Sequence, residues 1–313
     1  MAYGAWSHNK TDDRESLLSI LKDVSPNRDN YFVTHLGVGP AATNTLHEWG
    51  VYNTSRPTSV TTAIEGAAAS YGDLTTPTRT NNRTSIVTED VRVSGTAKAI
   101  DTITGEDSFA FQKKEALKRL KAKMEWLTIN GVVASGLSGV ASQQAGFDGM
   151  ISTNVTARNS GTSFTEIELN DILENSYDAV GSQYIADLIV CPMVISRRIS
   201  GFTSNLTRNI DASAKKLINN IRVYDSQVGQ EVIILPHKDV RKVNASYTLG
   251  NALTVYALRE DTWQHAFLAG REPKWKELAM DGDRQNGQYV TEFTLVGYAQ
   301  RASVKRTGYN ESL

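Results

Sequence analysis

The sequence predicts an α+β fold: a long helix laid on a sheet, a second mixed module, and a projecting pair of strands. Three stretches carry that expectation. Residues 107–131, DSFAFQKKEALKRLKAKMEWLTING, place Phe109, Ala116, Leu117, Leu120, Met124 and Leu127 at steps of three, four and seven, one apolar stripe along about six helical turns. Residues 186–195, ADLIVCPMVI, form a near-continuous apolar run of strand length that should be buried on both faces. Residues 289–298, YVTEFTLVGY, alternate as a strand that should complete the sheet beneath the long helix.

Taken in order, the chain opens on a polar start. Asp12 with Glu15 can then cap a short helix whose Leu17, Leu18, Leu21 and Val24 share a face and which Pro26 ends. A helix of about 12 residues is marginal alone, so this segment must dock on its own body or on another copy. Residues 31–104 are rich in Thr, Ser, Asn, Gly and Val. Two extended stretches stand out there, 46–53 (LHEWGVYN) and 84–104, with Val91 and Val93 alternating against Arg92 and Ser94. The polar stretch between them has little to form a core, so the expectation is a two-stranded projection that needs another surface. In the long helix, Asp107 or Ser108 caps the start, Glu115 and Arg119 are spaced to pair, and Gly131 suits a left-handed position past the end.

After the helix, residues 132–161 read as loop, with Phe147 and Met150 as anchors. Thr165 and Glu168 make a capping box for a helix with Ile167, Ile172, Leu173 and Val180 at helical spacing, ended by Gly181. A further helix is expected at 212–220, then a hairpin from 221–224 through a turn at 225–229 to 231–235. A strand at 254–258 and a Trp263 anchor precede the closing strand. Charge is uneven: residues 164–187 hold six acids and no base, residues 192–242 nine bases and four acids. Opposed faces of that kind could pair copy to copy around a ring, or be two ordinary solvated surfaces.

The 313 residues carry 33 basic and 34 acidic side chains, a net charge of -1, so no global field draws the chain to nucleic acid or membrane. The single cysteine, Cys191, sits in an apolar run and reads as a buried small hydrophobe. The start lacks the charged and apolar blocks of a signal peptide, and no apolar run approaches the ~18 residues of a membrane span. A soluble product of a reducing cytoplasm is expected.

Catalytic constellations occur only as fragments. Gly37-Val38-Gly39-Pro40-Ala41-Ala42 fits a degenerate dinucleotide fingerprint, yet Pro40 interrupts it and no acid follows at the needed distance. His8, His35, His47, His237 and His265 lack metal-ligand spacing and read as surface or packing residues. Ser213 and Lys216 have S-x-x-K spacing without companion motifs, and Asp281 with Asp283 sits in a glycine-containing turn. The expectation is no catalytic, cofactor-binding or metal site, and no enzyme.

In order and spacing, a set of segments resembles the major head (capsid) proteins of tailed phages, in particular the group related to the SU10 head protein, with the Hong Kong 97 fold. They are VSP at 24–26, LGVGPAATNTLHEW at 36–49, IEGAAAS at 64–70, VRVSGTAKAID at 91–101, RRISGFTSN at 197–205, VYDSQVGQEVIILPHK at 223–238 and YVTEFTLVGYAQRA at 289–302. The resemblance implies an N-terminal arm at 1–45, an extended loop at 46–104 that lies across a neighbour, and a peripheral domain at 105–163 built on the spine helix. It further implies an axial domain at 164–255 and a return to the peripheral domain at 256–313.

On that resemblance the chain is a tailed-phage capsid subunit, assembling as hexamers and pentamers into an icosahedral shell around double-stranded DNA held by nonspecific phosphate contacts. An encapsulin-like compartment shell of the same fold is the alternative. A portal, and scaffolding or decoration proteins, are the further partners, without a membrane; the location is the virion capsid, and the host cytoplasm during assembly. No built-in scaffolding segment is expected before the arm, and no Lys–Asn–acid cross-linking trio is marked. Contacts between copies are assigned to Leu17 and Leu21 of the arm and to Trp49, Tyr52, Arg56, Glu65, Arg79 and Arg92 of the loop. Lys113 and Lys118 of the spine, with Arg197, Arg198 and Arg208 of the axial domain, complete that assignment.

Overall fold

The computed structural model describes residues 30–52, 57, 59–69, 76–100, 107–202, 210–211, 216–217, 222–226, 229–240, 253–280 and 282–309. The expected N-terminal helix at 12–24, with Leu17 and Leu21, lies outside these residues, as do Arg56, Arg208 and Ser213.

A short helix α1 (Tyr31–His35) leads to β1 (Gly37–Val38) and then to β2 (Leu46–Val51), β3 (Thr78–Arg83) and β4 (Ser85–Ser94). The projection is therefore built differently from the sequence expectation. Strand β2 pairs antiparallel with β3, in register from Leu46↔Arg83 to Val51↔Thr78. β4 instead joins a larger sheet. The segment TRTNNR was missed as a strand because it has no apolar alternation; backbone pairing to β2 and one buried asparagine hold it. The extended run also stops early: Ser94 accepts a hydrogen bond from the Ala97 amide and starts α2 (Gly95–Ala99) where strand was expected to 104.

The spine is α3 (Ser108–Asn130), capped by Asp107, whose carboxylate accepts from the Phe109 amide. Its stripe is as expected for Phe109, Ala116, Leu120 and Met124, with Leu117 and Leu127 half-buried; Glu125, Thr128 and Ile129 are buried as well. Gly131 is not left-handed but has φ -55°. A Cβ there would stand 2.5 Å from the Leu127 carbonyl oxygen and 2.7 Å from that of Gln144, so close approach is what requires glycine. Glu115 pairs with Lys118 rather than Arg119, whose guanidinium reaches Glu89 on β4.

Beyond the spine, α4 (Phe147–Met150) buries both expected anchors. The supposed loop then forms β5 (Val155–Thr162). Helix α5 (Glu166–Val180) has the expected cap, Thr165 accepting from the Glu168 amide, and Gly181 at φ 74° ends it. Ile167 is not on its buried face but exposed; Leu169, Ile172, Leu173 and Ser176 are inside. The apolar run is β6 (Leu188–Cys191), buried throughout, but Pro192 stops it, and the carbonyl of Pro192 starts α6 (Met193–Phe202) by accepting from Ile195 and Ser196. The helix expected at 212–220 is contradicted where it is described: β7 (Ile210–Asp211) pairs with β8 (Lys216–Leu217). The expected hairpin is present as β9 (Val223–Asp225) and β10 (Glu231–Pro236). The chain closes through β11 (Leu253–Leu258), β12 (Trp263–Phe267), β13 (Lys274–Leu278), β14 (Arg284–Gly297) and β15 (Val304–Tyr309); β13 and β15 went unread in the sequence.

These strands make two larger sheets. One runs β1-β12-β14-β13, with β4 paired along β14 over Ser85 to Ser94. The spine covers it, Leu120 and Met124 meeting Val87 and Phe293. The other has the order β5-β15-β11-β6-β10-β9 and takes β5 and β15 from outside residues 164–255. Helices α5 and α6 pack on it through Leu169, Ile172, Leu173, Ile195 and Ile199. A shared core joins the two sheets, with Phe32, Ile129, Phe147, Tyr256, Trp263 and Leu295 in one cluster. Phe147 and Trp263 meet edge to face at 5.0 Å.

Candidate assembly surfaces

The β2–β3 pair is fixed at its root and bare toward its tip. Asn82 is buried, and its side chain makes four hydrogen bonds: Nδ2 donates to the Ala145 and Leu295 carbonyls, and Oδ1 accepts from the Ala145 and Arg83 amides. Trp49 is also buried, its Nε1 donating to the Gly297 carbonyl at 3.1 Å. Next to them Thr84 Oγ1 donates to Glu292, which Arg271 pairs at 2.8 Å. Toward the tip the environment reverses. Tyr52 and every described residue from 57 to 69 are exposed, including Val60 at 84% and Ile64 at 83%. Among the described residues the pair has no third strand and nothing covers Val60 or Ile64, so a fixed foot carries an arm with exposed apolar residues toward its tip.

A second joint lies beneath the first described helix. The carboxylate of Glu125, fully buried on the spine, accepts from the Phe32 and Val33 amides at 2.8 Å each, capping α1, which its own Asn30 does not cap. His237 Nε2 lies 3.1 Å from the same carboxylate. Because His237 Nδ1 accepts from the Asp239 amide, Nε2 carries the proton and donates to Glu125. One acid thus ties α1, the spine and the segment after β10 together. Sequence reasoning missed it because residue 125 is not part of the predicted apolar stripe. The available signal was Ile129, which widens the apolar stripe to the side where Glu125 lies four residues earlier.

The spine bases are only partly free of their own chain. Lys123 and Arg119 both clasp Glu89. Burial pushes the Glu89 carboxyl up, and the hydrogen bonds from Lys123 and Arg119 outweigh it, leaving the group below the ordinary carboxylate value. Lys113 stands over the Trp275 ring, 4.7 Å from its centre, and Lys118 pairs with Glu115. Arg79 reaches Glu48 across the projection at 3.8 Å from a well exposed position, a weak tie. Glu65 lies in the exposed turn at the tip, and Arg92 is exposed on β4. On α6, Arg197 is exposed. Arg198 and Trp49 are instead buried inside the subunit. The structure therefore gathers Tyr52, Glu65 and Arg79 on the projection and sets Lys113 and Lys118 on the spine. It also shows surfaces that the sequence did not single out: Val132, Val133, Leu137 and Val140 on the turn after the spine, and Ile167 and Met193 beside the six-stranded sheet, all more than half exposed.

Reactive chemistry has no comparable focus. Among the described residues no group of three or more His, Cys, Asp or Glu is placed to hold a metal. Cys191 is buried, and burial raises its thiol to about 12. His265 donates Nε2–H to Thr128 Oγ1, whose own proton goes to the Met124 carbonyl. Burial alone lowers this imidazole from 6.5 to about 4. Its folded-state value lies below its unfolded one, so the stability it allows is complete above about pH 6.5. That stability is lost as pH falls toward 4, by about 3 kcal/mol. Denaturant unfolding of the parent and of His265→Asn between pH 7 and 4 is expected to show that extra loss in the parent only.

A family model described as SU10 major capsid protein matches residues 3–310. No curated protein matches the chain. Among solved structures, the capsid of a native GTA particle is similar with a TM-score of 0.62 at 12% identity, covering 97% of each chain. The capsid of Myoviridae phage XM1 is similar with a TM-score of 0.57 at 12% identity, covering 94% of this chain and 96% of that one. The holo-SrpI encapsulin complex of Synechococcus elongatus gives a TM-score of 0.57 at 11% identity, covering 96% of this chain and 94% of its own.

Proposed function

The chain belongs to the SU10 major capsid protein family and has the Hong Kong 97-like fold of phage capsids, and on that basis we propose how it builds a shell. It is a tailed-phage major capsid protein, a structural subunit of the virion capsid that assembles with copies of itself. In this reading hexamers and pentamers close an icosahedral lattice. Residues 46–83, anchored at their foot by Asn82 and Trp49, reach with their exposed tip across the neighbouring subunit, while β4 stays in the subunit's own sheet. The six-stranded sheet with α5 and α6 forms the axial unit around which copies meet, and the spine with the other sheet forms the peripheral unit.

The observation that carries this reading is the bare tip on a riveted foot: Val60 and Ile64 are exposed in the subunit and become covered only on another surface. Each contact is modest, and stability arises because every subunit is held by several neighbours at once. On the axial unit, Glu166, Glu174 and Asp178 of α5 are exposed, as are Arg197, Arg222 and Lys238. Pairing of these acids with the bases of the next copy would make a head-to-tail contact that closes as a ring. Double-stranded DNA would meet the inner face through phosphate contacts without base reading. A portal, with scaffolding or decoration proteins where used, would complete the particle, and assembly would take place in the host cytoplasm.

Deleting residues 57–69 tests this. Subunits are expected to stay folded by circular dichroism and to build no stable shells by electron microscopy. Normal particles from the deletion would overturn the assignment. An encapsulin-like compartment shell shares the fold and is separated by content, since particles of this chain should package DNA.

A further inference from the structure

The foot of the projection carries an apolar hole that no described residue fills. It is an open depression of about 340 Å³ lined by Ile86, Val87, Thr88, Lys123, Trp126 and Leu127, where β4 runs beside the spine. Its floor is continuous with the core, Val87 and Leu127 packing in one cluster with Leu120 and Phe293. Its walls are bare: Ile86 is 57% and Trp126 47% exposed. A tryptophan left half in water beside an exposed isoleucine marks a surface that receives something apolar. Lys123 is the one ionisable side chain of the lining. It shares Glu89 with Arg119, so two positive charges meet one negative charge and the rim keeps a surplus of one positive.

We propose that this hole receives the turn at the tip of a second copy's projection, with Ile64 against Trp126 and Ile86 and with Glu65 beside Lys123. The proposal rests on the reading of the chain as a shell subunit and adds where on the neighbour the projection lands. The knob is a formed turn. The Ala67 amide donates to the Ile64 carbonyl at 3.0 Å, and Gly66, at φ 80°, takes the third position, where a type II turn requires a positive φ. The turn holds Ile64, 83% exposed, next to Glu65, the single charged residue of 57–69. An apolar knob with one acid suits apolar walls with one surplus base, so the two patches match in kind and in sign.

Position selects a second copy over the chain's own tip. Ile86 follows the buried Asn82 by four residues, so the hole sits where the projection joins the body. From there β2 and β3 pair over six residues, about 20 Å, as far as Val51↔Thr78, and the 64–67 turn belongs to the chain beyond that end. Both patches are exposed in the subunit, so neither covers the other. A knob and a hole separated in this way are filled by successive copies, each placing its tip at the foot of the next. That contact is heterologous and closes as a ring when the rotation allows.

The test is a full-length chain carrying Ile64→Cys with Ile86→Cys, the native Cys191 being buried. Particles of this variant, mildly oxidised, should show a ladder of linked chains up to the hexamer on a non-reducing gel, because each subunit both gives and receives a link. Ile64→Cys with Val223→Cys, exposed on β9 of the other sheet, should leave single chains. Particles without the ladder would overturn the landing site and leave the shell-forming reading standing. A parent chain that builds no particles would remove that reading and the landing site with it. A faster-migrating single chain, linked within one subunit, or an equal ladder from the Val223 pair would also overturn the proposal. A second readout needs neither oxidation nor a cysteine at the tip. Thiol labelling of Ile86→Cys is expected to be about tenfold slower in particles than in unassembled subunits, as for a covered state about ten times as populated as the open one. Adding Ile64→Ser should return the fast rate in the particles that form. A rate unchanged by assembly, or slow labelling that persists with Ile64→Ser, would count against docking at this hole.

Discussion

Replacing Glu125 with alanine is expected to destabilise the subunit by about 4 kcal/mol, the scale for removing one partner from a buried charged network. Three donors lose their acceptor together: the Phe32 amide, the Val33 amide and His237 Nε2. Phe32 and His237 are buried with their rings 5.8 Å apart, and the carboxylate between them is fully buried, so water cannot easily replace it, although the Val33 amide is only half-buried. Glu125→Gln keeps the shape and one acceptor oxygen but sets an amide donor against a donor, and should lose about half as much. Urea unfolding curves measure both. An alanine variant within about 0.5 kcal/mol of the parent would contradict the anchor. The consequence for the fold is directional: Glu125 fixes where α1 starts.

Asn82→Ala is the second large effect, also about 4 kcal/mol, because three buried backbone groups, the Ala145 amide and the Ala145 and Leu295 carbonyls, lose partners that no neighbour supplies. The expected phenotype goes beyond stability. Asn82 joins β3 to the loop before α4 and to β14, so its loss frees the foot of the projection while β2 still pairs with β3. Particle yield should therefore fall more steeply than subunit stability alone explains. Comparison with a core variant of equal cost, Leu120→Ala, separates the two. Equal yields at equal stability would show that the foot has no assembly role.

What could be read from the sequence divides along the range of the interaction. The stripe of α3, the Thr165 cap of α5 and the β9–β10 hairpin are local patterns set by period and capping, and they stand where expected. Strand β3 was invisible because TRTNNR carries no buried apolar residue; its order comes from β2 and from Asn82, whose partners lie 63 and 213 residues away. The start of α6 hid inside an apolar run because Met193–Ile195 are as apolar as β6, and only Pro192 marks the change. On the candidate surfaces, Glu65 sits in the polar stretch that the sequence set apart, and it is exposed. The burial of Trp49 was not legible, since it depends on the Gly297 carbonyl, 248 residues on.

The placement of β15 sets the timing of folding. This strand, at residues 304–309, inserts between β5 and β11, pairing parallel with the first and antiparallel with the second. A chain emerging from the ribosome therefore holds β5 and β11 apart until those late residues arrive, and closing so distant a pairing is slow. A subunit cut short before residue 304 therefore lacks the strand that joins β5 to β11.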